Sequence, residues 1–385
     1  MKKNLIVTAV ATLAASFATA ASAQSSVTLY GLVDAGLTYV NNVRNETGES
    51  AKASSFGVTS GNVNPSRWGL RGAEDLGGGM KAVFTLENGF NIANGTGDGR
   101  QFGRQAYVGL STAQVGTLTL GRQNDAVADF LGPMSATGTW GGTYFAHPGD
   151  IDNLDGNAFR INNSVKFVSA NYAGLTFAGA YGFSNSAGSF AANRAYSFGA
   201  GYANGPFKLG AAYTQANGFN SNTAGAITES VVSPIIAGAQ QTARLRTFGA
   251  GGSFSTGPMT FGAVWTQTRS DNDSEVVADS SSIANNYEIN GRYALTPALS
   301  LGAAYTFTYA KTEDPRAESR RVRRHQFGLQ TDYALSKRTD IYAEGVVQIA
   351  SGGGEGVYPA AGINGADTSS SSRQVLVTTG IRHRF

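Results

Sequence analysis

The sequence predicts an all-β protein: a transmembrane antiparallel β-barrel of about sixteen strands, with short periplasmic turns and long extracellular loops. Three observations carry this. The last twelve residues alternate, with Val375, Val377, Thr379, Ile381, His383 and Phe385 on one parity and Leu376, Thr378, Gly380, Arg382 and Arg384 on the other. A period of two is that of a strand with one apolar and one wetted face. Short, glycine- and proline-marked connections alternate with long polar ones along the chain. Apolar content is diffuse, at 41% of 385 residues, with 51 glycines and no long apolar run beyond residue 23.

At the N-terminus, Lys2 and Lys3 precede a short apolar run over residues 5–17, and Ala21-Ser22-Ala23 supplies a small-x-small cleavage site. This pattern predicts a secretory signal peptide over 1–23, removed before Gln24, with the barrel over 24–385. The run is shorter than the roughly 20 residues a membrane-spanning helix needs. The chain has no cysteine, so a closed hydrogen-bonded sheet, not disulfides, must hold an exported fold together.

Alternating segments follow at 27–40, 80–90, 116–122, 175–183, 195–203, 207–215, 259–269, 299–311 and 339–350, among others. The tight turns fall at Gly77-Gly78-Gly79, Gly205-Pro206 and Gly257-Pro258, where strand rules admit glycine and proline. The long connections are expected at 42–64, 91–101, 124–159, 184–194, 218–243, 270–285, 312–323 and 352–373. The basic run 316–324 reads as solvated loop, with lipopolysaccharide phosphates as a second reading. Residues 94–99 space Gly and Asp like a calcium loop but lack its downstream acid, so they read as a surface turn.

Parity assigns faces. Val27, Leu29, Val33, Leu37, Trp68, Leu70, Ile341 and Val347 fall on the lipid side. Asp34, Arg67, Arg71, Asp340, Glu344, Arg382 and Arg384 fall on the lumen side. A charge on the lipid face at the midplane costs roughly 2–4 kcal/mol, so charges should follow the inward parity, and here they do. Tyr30, Tyr39, Tyr107, Tyr172, Tyr202 and Phe385, near strand ends, are expected to form the aromatic girdles.

The chain carries 29 Lys and Arg against 26 Asp and Glu. Its basic residues alternate along strands, which does not suit nucleic acid. Only His147, His325 and His383 occur, none at metal-ligand spacing, and no Gly-x-Ser-x-Gly is present. The residues therefore point to no enzyme, no metal and no cofactor. An outer-membrane lipase would need a Ser–His pair on the outer wall.

The ordered motifs resemble a known family. Ser26-Val27-Thr28-Leu29-Tyr30-Gly31 opens the barrel. Ser66-Arg67-Trp68-Gly69-Leu70-Arg71-Gly72, Arg104-Gln105-Ala106-Tyr107-Val108-Gly109-Leu110 and Gly116-Thr117-Leu118-Thr119-Leu120-Gly121-Arg122 follow, and Gly380-Ile381-Arg382-His383-Arg384-Phe385 ends it. Together they are similar to the general diffusion porins of Neisseria and Burkholderia relatives. The resemblance implies a homotrimer in the Gram-negative outer membrane, in contact with lipid and lipopolysaccharide. It also implies delivery by the barrel-assembly machinery through the terminal Phe385, and passive passage of small hydrophilic solutes and ions. The third long loop, here about residues 123–159, would fold inward and narrow the channel.

On that resemblance Arg67, Arg104 and Arg160 form the basic side of the constriction, and Gly141-Gly142 matches the loop's turn. The acid that relatives often carry before that turn is replaced by Gly138-Thr139-Trp140. Asp125, Asp129, Asp150, Asp152 and Asp155 remain as loop acids, and sequence leaves open which of them face the arginines. The missing acid implies a weak preference for anions. A solute-specific channel, or a barrel acting mainly as adhesin or receptor, are the alternative readings.

Overall fold

The structure is a computed structural model, which describes residues 26–44, 53–97, 99–218, 225–229, 244–271, 280–314, 317–353, 359–367 and 369–385. The signal segment expected over 1–23, Asp98 and Arg316 lie outside the described residues.

Strands dominate. In chain order they are β1 (Ser26–Val43), β2 (Ala53–Ser60), β3 (Arg67–Gly77), β4 (Met80–Gly89), β5 (Gln105–Thr112) and β6 (Gly116–Gln123). Next come β7 (Ile161–Ser169), β8 (Leu175–Gly182), β9 (Ala195–Asn204), β10 (Phe207–Asn217), β11 (Arg244–Thr256) and β12 (Met259–Asp271). The last are β13 (Ser281–Ala294), β14 (Leu299–Asp314), β15 (Ala317–Ala334), β16 (Thr339–Gly353) and β17 (Arg373–Arg384). All pairings are antiparallel, and β17 returns to β1, from Leu32 opposite Arg384 to Val40 opposite Leu376. That seam closes the sheet and leaves no edge.

The seventeen strands make sixteen staves, because β2 and β3 share one. β1 pairs with β2 down to Ala35–Ser60 and with β3 from Leu32–Arg67. Three steps along β1 are thus matched by seven along its partner, so four residues are extruded between β2 and β3. The extrusion points into the lumen, where Asn62 and Val63 are each 1% exposed.

The burial pattern is inverted relative to a water-soluble protein. Val27 is 64% and Leu329 67% exposed on the outer wall, whereas Gln348 and Gln374 are fully buried inside. Lipid is the solvent for the first pair, and inward loops cover the second. Expected strand parity holds for β1, β3, β16 and β17. Two girdle assignments need correction: the hydroxyl of Tyr30 donates to Glu87 Oε2 at 2.9 Å, and Thr85 Oγ1 donates to Tyr107 OH at 3.0 Å. Both tyrosines are inside, because their parity is that of the lumen. Tyr172, Tyr202 and Phe385 do face outward, 46%, 41% and 45% exposed.

Two expected long loops also shrink. β14 and β15 run on to Asp314 and from Ala317, so most of 312–323 is strand, including Arg320, Arg321 and Arg323. Likewise β12 and β13 take up much of 270–285. Hydrogen-bonded hairpins run on into these polar segments, and polarity alone does not separate such extensions from loop.

Candidate functional site

The third long loop, residues 124–160, crosses the lumen. Two short helices punctuate it: α1 (Ala126–Phe130) and α2 (Ala136–Thr139). Each begins at a side-chain cap, Asp125 accepting from Ala128 N at 3.1 Å and Ser135 from Gly138 N at 3.0 Å. Such caps satisfy helix-end amides that a water-poor crossing would leave unpaired. The loop's aromatics seat on inward glycines of the wall. A Cβ at Gly302 would meet Trp140 at 2.4 Å, and one at Gly328 would meet Phe145 at 2.3 Å.

The loop's tip is clasped by the extrusion between β2 and β3. Asp34 accepts from Val63 N at 2.9 Å and Asn64 N at 2.8 Å through one carboxylate oxygen. The other oxygen accepts from Tyr342 OH. The extruded residues then hold the tip: Thr143 N donates to Asn62 O at 2.9 Å, and Tyr144 OH to Asn62 Oδ1 at 2.9 Å. Gly142 is the contact point, with φ +69° and only 2.2 Å between a would-be Cβ and Val63 O. Asp34, read from sequence as a lumen charge, is fully buried by this clasp.

Arg67, Arg104 and Arg160 come together opposite the tip. Arg104 Nε lies 2.7 Å from Glu87 Oε1, and Arg67 Nε lies 3.9 Å from Glu87 Oε2. Asn157 Oδ1 accepts from Arg104 Nη1 at 3.0 Å and from Arg160 Nη2 at 3.3 Å. The arginines line two adjoining cavities. One, of about 570 Å³, includes Arg104, Asp155 and Arg160. The other, of about 240 Å³, includes Arg67, Glu87, Arg104 and Asp155. Glu87 was not singled out from sequence, although it shares the inward parity of Lys81 and Thr85 in β4.

Of the five loop acids, the structure places only Asp155 beside the arginines. Asp129 instead pairs with Lys166 Nζ at 2.5 Å. Asp125 is buried behind the loop as the α1 cap and accepts from Thr214 Oγ1 at 2.6 Å. Burial pushes its carboxyl up to about 6. Asp150 is held well above the usual carboxylate range by burial and by neighbouring Asp155. Asp152 accepts from Thr266 Oγ1 at 2.5 Å and Asn286 Nδ2 at 3.1 Å. Its carboxylate also faces His147. Asp125, Asp129 and Asp152 serve loop anchoring because their side chains turn back to the wall.

His147 is the anchor that sequence reasoning passed over. It is fully buried, with Nδ1 2.5 Å from Asp152 Oδ2 and Nε2 3.1 Å from Glu288 Oε2. Burial alone would lower the imidazole, but the flanking carboxylates outweigh it and raise it to about 10. The same contact pulls Asp152 below its ordinary value against the effect of burial. A histidine at 147 and an acid at 288 are too far apart in sequence for spacing to connect them.

The other lumen charges expected from sequence each have a neighbour. Arg382 bridges Asp340 at 3.0 Å and Asp332 at 3.2 Å, and Arg384 reaches Asp340 at 2.6 Å. Glu344 Oε1 accepts from Gln330 Nε2 at 2.7 Å. Arg71 lies over the Tyr30 ring, 5.1 Å from its centroid. Arg122 pairs with Glu229 at 2.5 Å.

A closed barrel with a clasped loop opposite an arginine cluster is the setting for comparison with known proteins. The family model described as Gram-negative porin matches residues 8–348. The chain belongs to the Gram-negative porin family. This porin is 32% identical over 380 residues to an outer membrane porin protein of Bordetella pertussis, covering 90% of this chain and 94% of that one. It is 39% identical over 186 residues to outer membrane porin protein 32 of Delftia acidovorans, covering 48% and 50%. Among solved structures it is similar to the anion-selective porin from Comamonas acidovorans, with TM-score 0.71 and 25% identity over 94% of this chain and 100% of that one. The protein is an outer-membrane porin, a general diffusion channel of a family of channels.

Proposed function

We infer that Arg67, Arg104 and Arg160 form the basic side of the constriction, and that the channel weakly prefers anions among small hydrophilic solutes. The observation that carries this is the charge count where the two cavities meet. Three guanidiniums face Glu87 and Asp155, so one positive charge is in excess. Arginines across a narrow aqueous gap from the loop set up a transverse field. Polar solutes cross by aligning in it, while apolar solutes gain nothing there. The similar porin from Comamonas acidovorans is anion-selective, which supports the same sign.

The resemblance further supports a homotrimer, removal of residues 1–23 on export and insertion through the terminal strand. The test of the main reading is the reversal potential of the purified protein in a planar bilayer under a potassium chloride gradient. A potential on the anion side is expected at low salt. A zero or cation-side potential there overturns the selectivity assignment.

A further inference from the structure

The two cavities at the constriction share part of their linings. Arg104, Asp155 and Asn157 belong to both, with Pro65 and Thr143, so these residues frame the neck between them. Asn157 orders the charges there. Its Oδ1 accepts from Arg104 Nη1 at 3.0 Å and from Arg160 Nη2 at 3.3 Å. Its Nδ2 donates to Asp155 Oδ2 at 2.7 Å, and its backbone N to Asp155 Oδ1 at 2.8 Å. One side-chain amide therefore stands between the Arg160 guanidinium and the Asp155 carboxylate and keeps them apart.

The two charges that it separates have no counter-charge of their own. Arg104 has Glu87 at 2.7 Å. Arg160 and Asp155 make no ion pair among the described residues. Arg160 is only 7% exposed, and its Nε has no hydrogen-bond partner among those residues. A charged donor held out of water and left unpaired is costly, and an acceptor arriving from the cavity relieves that cost. A guanidinium and a carboxylate thus border one space of about 570 Å³, two hydrogen bonds and one amide apart.

We propose that the neck is a weak binding site for zwitterions of the α-amino acid class. The solute's carboxylate lies on Arg160 Nε and its ammonium on Asp155. An α-amino acid carries these groups on neighbouring carbons, a separation that matches the one-amide gap. Its side chain projects into the larger cavity, whose lining includes Ser60, Ser66 and Phe90. A simple anion on Arg160 stands against Asp155 and offers it nothing, and a simple cation on Asp155 stands against Arg104 and Arg160. A molecule holding both charges also aligns as a dipole in the transverse field. The proposal rests on Arg160 being a constriction residue and names a solute class for that site. Because a zwitterion adds no net charge, its retention is independent of the sign of ion selectivity.

Three solutes of one skeleton separate the contacts: L-alanine carries both charges, L-lactate only the carboxylate, and L-alaninol only the ammonium. The purified full-length protein in a planar bilayer is titrated with each at neutral pH, and the concentration that halves the potassium chloride current is read. Alanine should block at a concentration at least about threefold lower than either analogue, the order of one solvent-exposed ion pair. Asp155→Asn should abolish its advantage over lactate, and Arg160→Gln its advantage over alaninol. The wild-type comparison decides without any variant. Lactate blocking as well as alanine, or an alanine advantage over lactate that survives Asp155→Asn, overturns the proposal. A zero or cation-side reversal potential overturns the selectivity assignment instead and leaves the ranking of the three solutes standing.

Discussion

If the arginines set the sign of selectivity, as proposed, Glu87 should set its magnitude. It takes the Nε of Arg104 at 2.7 Å and the hydroxyl of Tyr30 at 2.9 Å, so it moderates the cluster from within. A permeating ion about 5 Å from one unpaired charge feels roughly 1–3 kcal/mol between the dielectric of water and that of a protein surface. Glu87→Gln should therefore strengthen anion preference severalfold, and the Arg67→Ser, Arg104→Ser pair should swing the reversal potential toward cations. Both shifts should shrink in concentrated salt, since the Debye length falls from about 10 Å at 0.1 M to about 3 Å at 1 M. An unmoved potential in both variants places these side chains outside the ion path. The arginines were legible because they sit in motifs with a shared parity. Glu87 carried only parity. The five loop aspartates carried no signal for facing, because a crossing loop has no fixed period.

At the scale of the loop, the tip and the nearby His147 anchor tie one crossing to different parts of the wall, and each predicts a different failure. Valine at position 142 would have to hold φ near +69° with its Cβ 2.2 Å from Val63 O. Such backbone strain costs on the order of 1–3 kcal/mol, so Gly142→Val should lift the tip from the extrusion. Liposome swelling should then admit bulkier sugars than the wild type does. Unchanged size exclusion would mean that the clasp does not limit the pore. His147 adds a pH dependence. Its pKa rises from 6.5 free to about 10 when docked, so its contribution is full below about 6.5 and is lost as pH rises through 10. Asp152 runs the other way: its lowered pKa gives stability present above about 3.8 and lost in acid. Open-channel current noise should climb above pH 10 in the wild type. In His147→Gln it should already be raised at pH 7, with no step near 10. Flat noise across that range in the wild type would sink the anchor.

For the whole molecule, the strand count was legible because alternation and turn chemistry repeat locally around the ring. The extrusion between β2 and β3 was not. Gly61-Asn62-Val63-Asn64-Pro65 reads as plain loop, and only the slip of register against β1 shows that it enters the lumen. Closure itself rests on the seam. Phe385 N donates to Gly31 O at 3.0 Å, Gly31 N to Phe385 O at 3.1 Å, and the Phe385 ring occupies the space over Gly31. The terminal residue therefore packs the seam and also presents an outward aromatic, 45% exposed. Gly31→Leu collides with the ring, whose nearest atom lies 2.5 Å from the added Cβ, and disturbs only the first. Phe385→Ser keeps the backbone pair and removes the aromatic. If Phe385 is the assembly signal, Phe385→Ser should lower the outer-membrane level severalfold while the inserted fraction still shifts on boiling. Gly31→Leu should insert normally but lose that shift at a lower temperature. Wild-type levels of Phe385→Ser would reduce the residue to seam packing, and identical migration of the wild type with and without boiling would count against a stable closed trimer.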